Sequence, residues 1–241
     1  MKTGVRGMRN HEKDAVEMAA KRQKILETGY KLFSEKSIAA VTMNNVADAC
    51  GIGVATVYRY FRTKLALVLA INTWLWENYV MENDRLLKDT EEAHVSALQR
   101  YEFFIDTFID LYRNHKEMLR FNQLFNIYIR SEQVPPEQLA AYNNMIGMMS
   151  GKFQEIILMG QDDGTIRKDI SGQDIFSATL HLMLATTTRY AFGLVYTPEG
   201  GVEEERELHM LKRMLMSEFA SGGKDSFLSP GELNPGEQPP N

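Results

Sequence analysis

Tyr58, Arg59 and Tyr60 stand side by side in the stretch CGIGVATVYRYF, Cys50 to Phe61. So much polar-tipped bulk in a short segment cannot all be buried. On a helical wheel of about 100° per residue, Val54, Val57 and Phe61 share one side. Ala55, Thr56 and Arg59 lie opposite, and Tyr58 and Tyr60 fall on the two flanks. That layout suits a helix seated in a major groove, where small and hydrogen-bonding residues meet base edges and flanking hydroxyls meet phosphates. Arg59 has the planar fork that pairs with a guanine, and Thr56 can meet a thymine methyl or a phosphate. A plainer reading stands beside it: tyrosines near a helix end are often half-buried packing residues. GIGVAT also resembles a dinucleotide loop superficially, but it follows a helical pattern rather than a strand and lacks the third glycine. Cys50 closes the apolar stripe before it and reads as a small core hydrophobe.

The elements that would position these residues are short helices. Thr42 can cap a helix over 42–50 whose Met43, Val46, Ala47 and Cys50 share one face. Its amide end, with Thr42, can hold a phosphate. Gly51 stops that helix, and Gly51-Ile52-Gly53 leads into a second one over 54–60. Two short helices joined by a three-residue glycine turn form a helix-turn-helix. The charge balance agrees. Residues 1–76 carry 12 Lys+Arg against 6 Asp+Glu, whereas residues 77–241 carry 15 against 26. A basic N-terminal third on an acidic remainder suits a part that faces a polyanion.

Over about residues 20–71 the chain resembles the DNA-binding domain of the TetR family of bacterial transcriptional regulators. The resemblance is carried by Ile25 and Leu32-Phe33 of the first helix, the threonine opening the second, and ACGIG, ATVYRYF and TK. It implies that Thr42, Thr56, Tyr58, Arg59, Tyr60 and Lys64 contact operator DNA, with Ala55 on the same reading face. Two positions depart from the pattern: Gly53 stands where a serine cap is frequent, and Val54 where a lysine or arginine is common.

Nearly every other segment reads as helix, so the fold class expected is all-α. Helices are predicted over 16–36, 42–50, 54–60, 63–88, 94–113, 116–131, 136–160, 172–196 and 202–220. This divides the chain into a flexible basic arm over 1–15 and a three-helix DNA-binding domain over 16–64. A larger helical effector-binding and dimerisation domain over 65–221 follows, then a disordered Gly/Pro-rich tail over 222–241. The arm carries Lys2, Arg6, Arg9 and Lys13. In the last two long helices, Phe176, Leu180 and Thr187, and Leu208, Leu211, Leu215 and Phe219, make two apolar stripes. Stripes of this kind from two subunits close a four-helix bundle, and the resemblance implies a homodimer built that way. Burial against their own chain is the alternative.

For the effector, Trp74, Phe104, Phe108, Phe121, Phe125, Met145, Met149, Phe153 and Met183 are the apolar candidates, with Thr186, Asn126 and His181 as polar anchors. Methionines with aromatics can line an adaptable pocket, or simply a core. Asp106 and Asp110 could hold a cation, but Gln99, Glu102, Asp106, Asp110 and Arg113 run as one polar stripe, the pattern of a solvated face.

Other classes find no support. The stretches Leu65 to Trp76 and Ile175 to Thr188 fall short of the roughly 18 residues of a membrane span. The N-terminus lacks an apolar signal core, and one cysteine suits a reducing cytoplasm. His11, His94, His115, His181 and His209 are isolated, so no metal site or cofactor is expected. No nucleophile elbow or phosphate loop points to an enzyme. The expectation is a cytoplasmic, ligand-responsive repressor that binds double-stranded operator DNA and a small apolar or amphipathic effector. An effector-independent DNA-binding protein whose helical domain takes a protein partner is the alternative.

Overall fold

A computed structural model of the chain describes residues 4–92, 95–195 and 204–222. Among the described residues the fold is all-helical: α1 Gly4–Glu35, α2 Met43–Cys50, α3 Val54–Tyr60, α4 Lys64–Glu92, α5 Ala97–Asn114, α6 Lys116–Ser131, a 3-10 turn Pro136–Leu139, α7 Ala140–Asp162, α8 Gly172–Ala191 and α9 Glu204–Phe219. An isolated bridge between Ile166 and Ala220 ties the α7–α8 loop to the end of α9.

Each predicted helix is present; α4 runs on to Glu92 rather than 88 and α5 begins at Ala97 rather than 94, and three further boundaries differ for local reasons. The first helix begins at Gly4, so residues 4–15 are helical backbone rather than a loose arm. The run through Glu12-Lys13-Asp14-Ala15 holds no proline and continues into strong helix formers. Pro136 opens a 3-10 turn before α7. Helix α8 ends at Ala191, short of the predicted 196, where Gly193 takes a left-handed φ of 69°. Lys2 and residues 223–241 of the expected tail lie outside the described residues.

The side chains sort into two cores. One joins α1, α2 and α3 to the start of α4 through Ile25, Phe33, Val46, Val57, Leu67 and Ile71. Phe121, Phe125 and Tyr128 of α6 belong to this core as well. The other fills the bundle of α5, α7, α8 and α9 around Tyr101, Ile105, Phe153 and Met183. Leu75 and Tyr142 pack against both. Helices α1 and α4 meet so closely at Gly29 that a Cβ there would stand 2.9 Å from Ile71 Cδ1. Tyr30, one residue on, sets its ring edge against Trp74 at 6.3 Å and Phe121 at 5.6 Å. The reading unit is thus packed on α6 as well as carried by α4.

Candidate nucleic-acid interface

Helix α2 is fixed at both ends. Asn45 donates its amide N–H to Thr42 Oγ1 at 3.2 Å, and Asn45 Oδ1 accepts from the Thr42 amide at 2.8 Å. This reciprocal cap leaves Thr42 exposed at the amide end of the helix. Gly51 takes the left-handed conformation, φ 67°, that ends α2 and turns the chain into α3. Met43, Val46, Ala47 and Cys50 are all buried on one face, and Cys50 is the core hydrophobe its spacing predicted.

Helix α3 buries Val57, and Phe61 just past its end is buried too. Ala55, Tyr58 and Arg59 are exposed and Thr56 is half-buried, so the reading face deduced from the wheel points outward. Val54 is half-buried against the reader core, which accounts for an apolar residue where a basic one is common. Gly53 is the N-cap without a side-chain bond, and a Cβ there would meet nothing within 4 Å. Space does not demand the glycine.

Two of the expected DNA contacts are turned inward. The Tyr60 ring packs on the reader core, and its hydroxyl is enclosed with no protein hydrogen-bond partner, instead of flanking the reading face as the wheel implies. Lys64 Nζ donates to the Ala39 carbonyl at 3.2 Å and sits 5.6 Å from the centre of the Tyr128 ring. Partial burial holds this amine below its ordinary pKa, with Glu132 acting in the opposite direction.

The sequence model for bacterial regulatory proteins of the tetR family matches residues 25–71, the segment that builds this unit. An HTH-type transcriptional regulator of Staphylococcus aureus, SAB2452, is 33% identical over 129 residues, covering 48% of this chain and 68% of its own. The chain belongs to the TetR family. The solved structures extend the likeness to the whole fold. A Bacillus subtilis transcriptional regulator FadR, solved with stearoyl-CoA, superposes with a TM-score of 0.64 at 16% identity, over 81% of this chain and 97% of that one. A Saccharomonospora viridis regulator solved with choline gives 0.65 at 18%, over 84% and 98%.

As a TetR-family chain, the protein is a DNA-binding transcriptional regulator, and the family is not one of enzymes. Among the described residues no helix is long and apolar enough to cross a membrane. The C-terminal bundle arranges its candidate residues differently from the sequence reading. Phe108, Met145, Phe153 and Met183 belong to the bundle core, with Phe104 and Met149 packed against it, whereas Phe121 and Phe125 belong to the reader core, with Trp74 packed against that. They divide between two cores, because α6 turns its aromatic face to α1. Phe104, Phe153 and Phe176 fill the space among α5, α7 and α8, with ring centres 4.6 Å and 5.1 Å apart along the series.

The polar anchors do come near one another. Asn126 and His181 line an open groove of about 390 Å³ between α6 and α8, beside Asn122, Leu184, Thr188 and Arg189. Thr186 lines an adjoining groove with Tyr190 and Glu207. Asn122, which periodicity alone gives no reason to single out, accepts a hydrogen bond from the Trp76 indole of α4 at 3.3 Å.

The acidic stripe of α5 stays solvated as its pattern predicts, with Glu102, Asp106 and Asp110 part-exposed and Gln99 and Arg113 exposed, but it also carries ion pairs to α9. Lys212 of α9 bonds Asp106 at 2.7 Å and Glu102 at 2.9 Å, which also occupies Asp106 as an anion for a cationic ligand. Arg113 is paired to Glu205 at 3.0 Å. The expected dimer stripes are corrected too. Phe176, Thr187, Leu208, Leu215 and Phe219 are buried in their own subunit, and Leu180 and Leu211 pack against the same core. The opposite faces carry exposed Leu182, Met210 and Met214. Sequence periodicity found the apolar sides of these helices but could not say that the bundle itself uses them.

Proposed function

We propose that this regulator is a homodimeric repressor that a small apolar or amphipathic effector releases from its operator. The observation that carries the reading is the double use of α6. Its Phe121, Phe125 and Tyr128 are part of the reader core, while its Asn122 and Asn126 line the groove shared with α8. An occupant of that groove would press on the helix that supports the reader, and through the Asn122–Trp76 bond on α4 as well. Two heads must sit about one DNA turn apart, roughly 34–36 Å, to read paired half-sites. A ligand that prefers another spacing of α4 and α6 lowers operator affinity by its differential affinity for the two states. The related folds solved with stearoyl-CoA and with choline support a small-molecule effector. The groove's mixed lining, Leu184 and Phe192 beside Asn126 and His181, supports an amphipathic one.

In this reading Ala55, Thr56 and Arg59 meet bases, and Thr42, Tyr58, Tyr60 and Lys64 meet phosphates. Fluorescence anisotropy with DNA from upstream of the gene, against random duplex, tests it. Arg59→Ala is expected to cost about tenfold or more on the best fragment, the worth of one bidentate base contact, and little on random DNA. Equal loss on both would sink the assignment of Arg59 to base reading. Thermal-shift screening with acyl chains and quaternary amines tests the effector, because a ligand of the native state raises the melting temperature. A true effector must raise it and release the operator; compounds that do only the first would count against release as the mechanism.

A further inference from the structure

We propose that Tyr128 of α6 is a positioning residue for the DNA-contacting lysine, a seat that competes with the phosphate for Lys64. This rests on the reading of Lys64 as a phosphate contact. Lys64 opens α4, directly after the reading helix and its short turn. Its ammonium is not extended into solvent: it donates to the Ala39 carbonyl and lies over the Tyr128 ring. Tyr128 is only 8% exposed, so the ring is fixed by packing and cannot follow the lysine outward. A cation over an aromatic face is held by the ring quadrupole, and Glu132, one turn along, adds a favourable charge. Lys64 therefore spans three parts of the molecule: the loop before α2, the start of α4, and α6.

The seat has a consequence for control. Ala39 and Lys64 belong to the reading unit and its connecting helix, but Tyr128 is on the helix that also lines the groove with α8. A shift of α6 changes how firmly the ammonium is held, and so how readily a phosphate takes it. The enclosed Tyr60 hydroxyl points the same way, because both phosphate-facing groups are turned inward in this one conformation. Strengthening the seat weakens DNA binding, and removing it frees a cation.

Operator titrations with the full-length protein test this. Tyr128→Leu is expected to tighten binding at low salt by about two- to fivefold, the worth of one cation–ring contact. Tyr128→Phe keeps the ring and should match the parent. The gain should vanish when Lys64→Met is added, since no ammonium is then released. Weaker or unchanged binding by Tyr128→Leu, or a gain that survives Lys64→Met, overturns the seat. If Lys64→Met in the parent changes neither the affinity nor the salt slope, which one phosphate contact sets at about one, the phosphate reading itself fails. Should Tyr128→Leu not fold, the parent protein gives the answer after reductive 13C-methylation of its lysines. The Lys64 methyl signal should be displaced by the Tyr128 ring current in the free protein and lose that displacement when operator is added. Persistence of the displacement in the saturated complex overturns the proposal.

Discussion

Replacing Met210 and Met214 together with glutamate is expected to leave a folded chain that no longer pairs and no longer holds its operator. Helix α9 uses Leu208, Leu215 and Phe219 for its own core, and Lys212 is committed to α5. What remains outward is the opposite face, where Met210 is 47% and Met214 is 62% exposed. Helix α8 likewise leaves Leu182 and Ala185 exposed, away from its buried side. A two-fold interface sets such a patch against its own copy, so four glutamates would face one another in an apolar seam. Neither methionine is buried, so the subunit fold should survive. Sedimentation should report the mass of one chain, and specific operator affinity should fall by about a hundredfold or more, because linked binding of two heads is lost. Persistence of dimers would move the interface elsewhere, with the exposed Met148, Leu158 and Met159 of α7 the next face to test.

The difference between that face and the stripes expected from sequence shows where reading by pattern stops. The reader was legible almost residue by residue. Its helix α2 has strong caps, Thr42 with Asn45 and the left-handed Gly51, and its buried face follows directly from a 3.6-residue spacing. Tyr58 and Arg59 had no room inside, so their exposure followed. The inward seats of Tyr60 and Lys64 are not legible, because their partners, the reader core and Tyr128, come from the fold rather than from their own helix. In the bundle the same spacing marks every apolar face alike. It could not tell Leu208, which the subunit buries, from Met210, which it leaves exposed. The acidic stripe of α5 reads as solvated and is, but its pairing with Lys212 is not legible, since Lys212 lies 106 residues away from Asp106. Only tertiary contact decides which of two amphipathic partners a helix meets first.

Asn72→Leu is expected to stabilise the protein, by about 1–3 kcal/mol, the usual cost of leaving a buried polar group unpaired. Asn72 is 1% exposed on α4, and neither its Oδ1 nor its Nδ2 meets a protein partner. Its neighbours in the helix, Val68, Ile71 and Trp76, are buried. Trp76, one turn on and on the same side, does find a partner in Asn122. Leucine keeps the branching and the number of side-chain heavy atoms and has no polar group to desolvate, so the exchange opens no cavity, although its bulkier methyls use part of the gain in fitting the site. For a chain of this size a gain of that order raises the melting temperature by about 2–10 °C. The gain acts on one arrangement of the helix that joins reader and bundle. If the operator-bound arrangement supplies Asn72 with a partner, Asn72→Leu stabilises the present form alone and operator affinity falls. If α4 keeps this arrangement on DNA, the melting temperature rises and affinity is unchanged. A lower melting temperature would mean that the amide is satisfied in solution, and calorimetry beside an operator titration separates the three results.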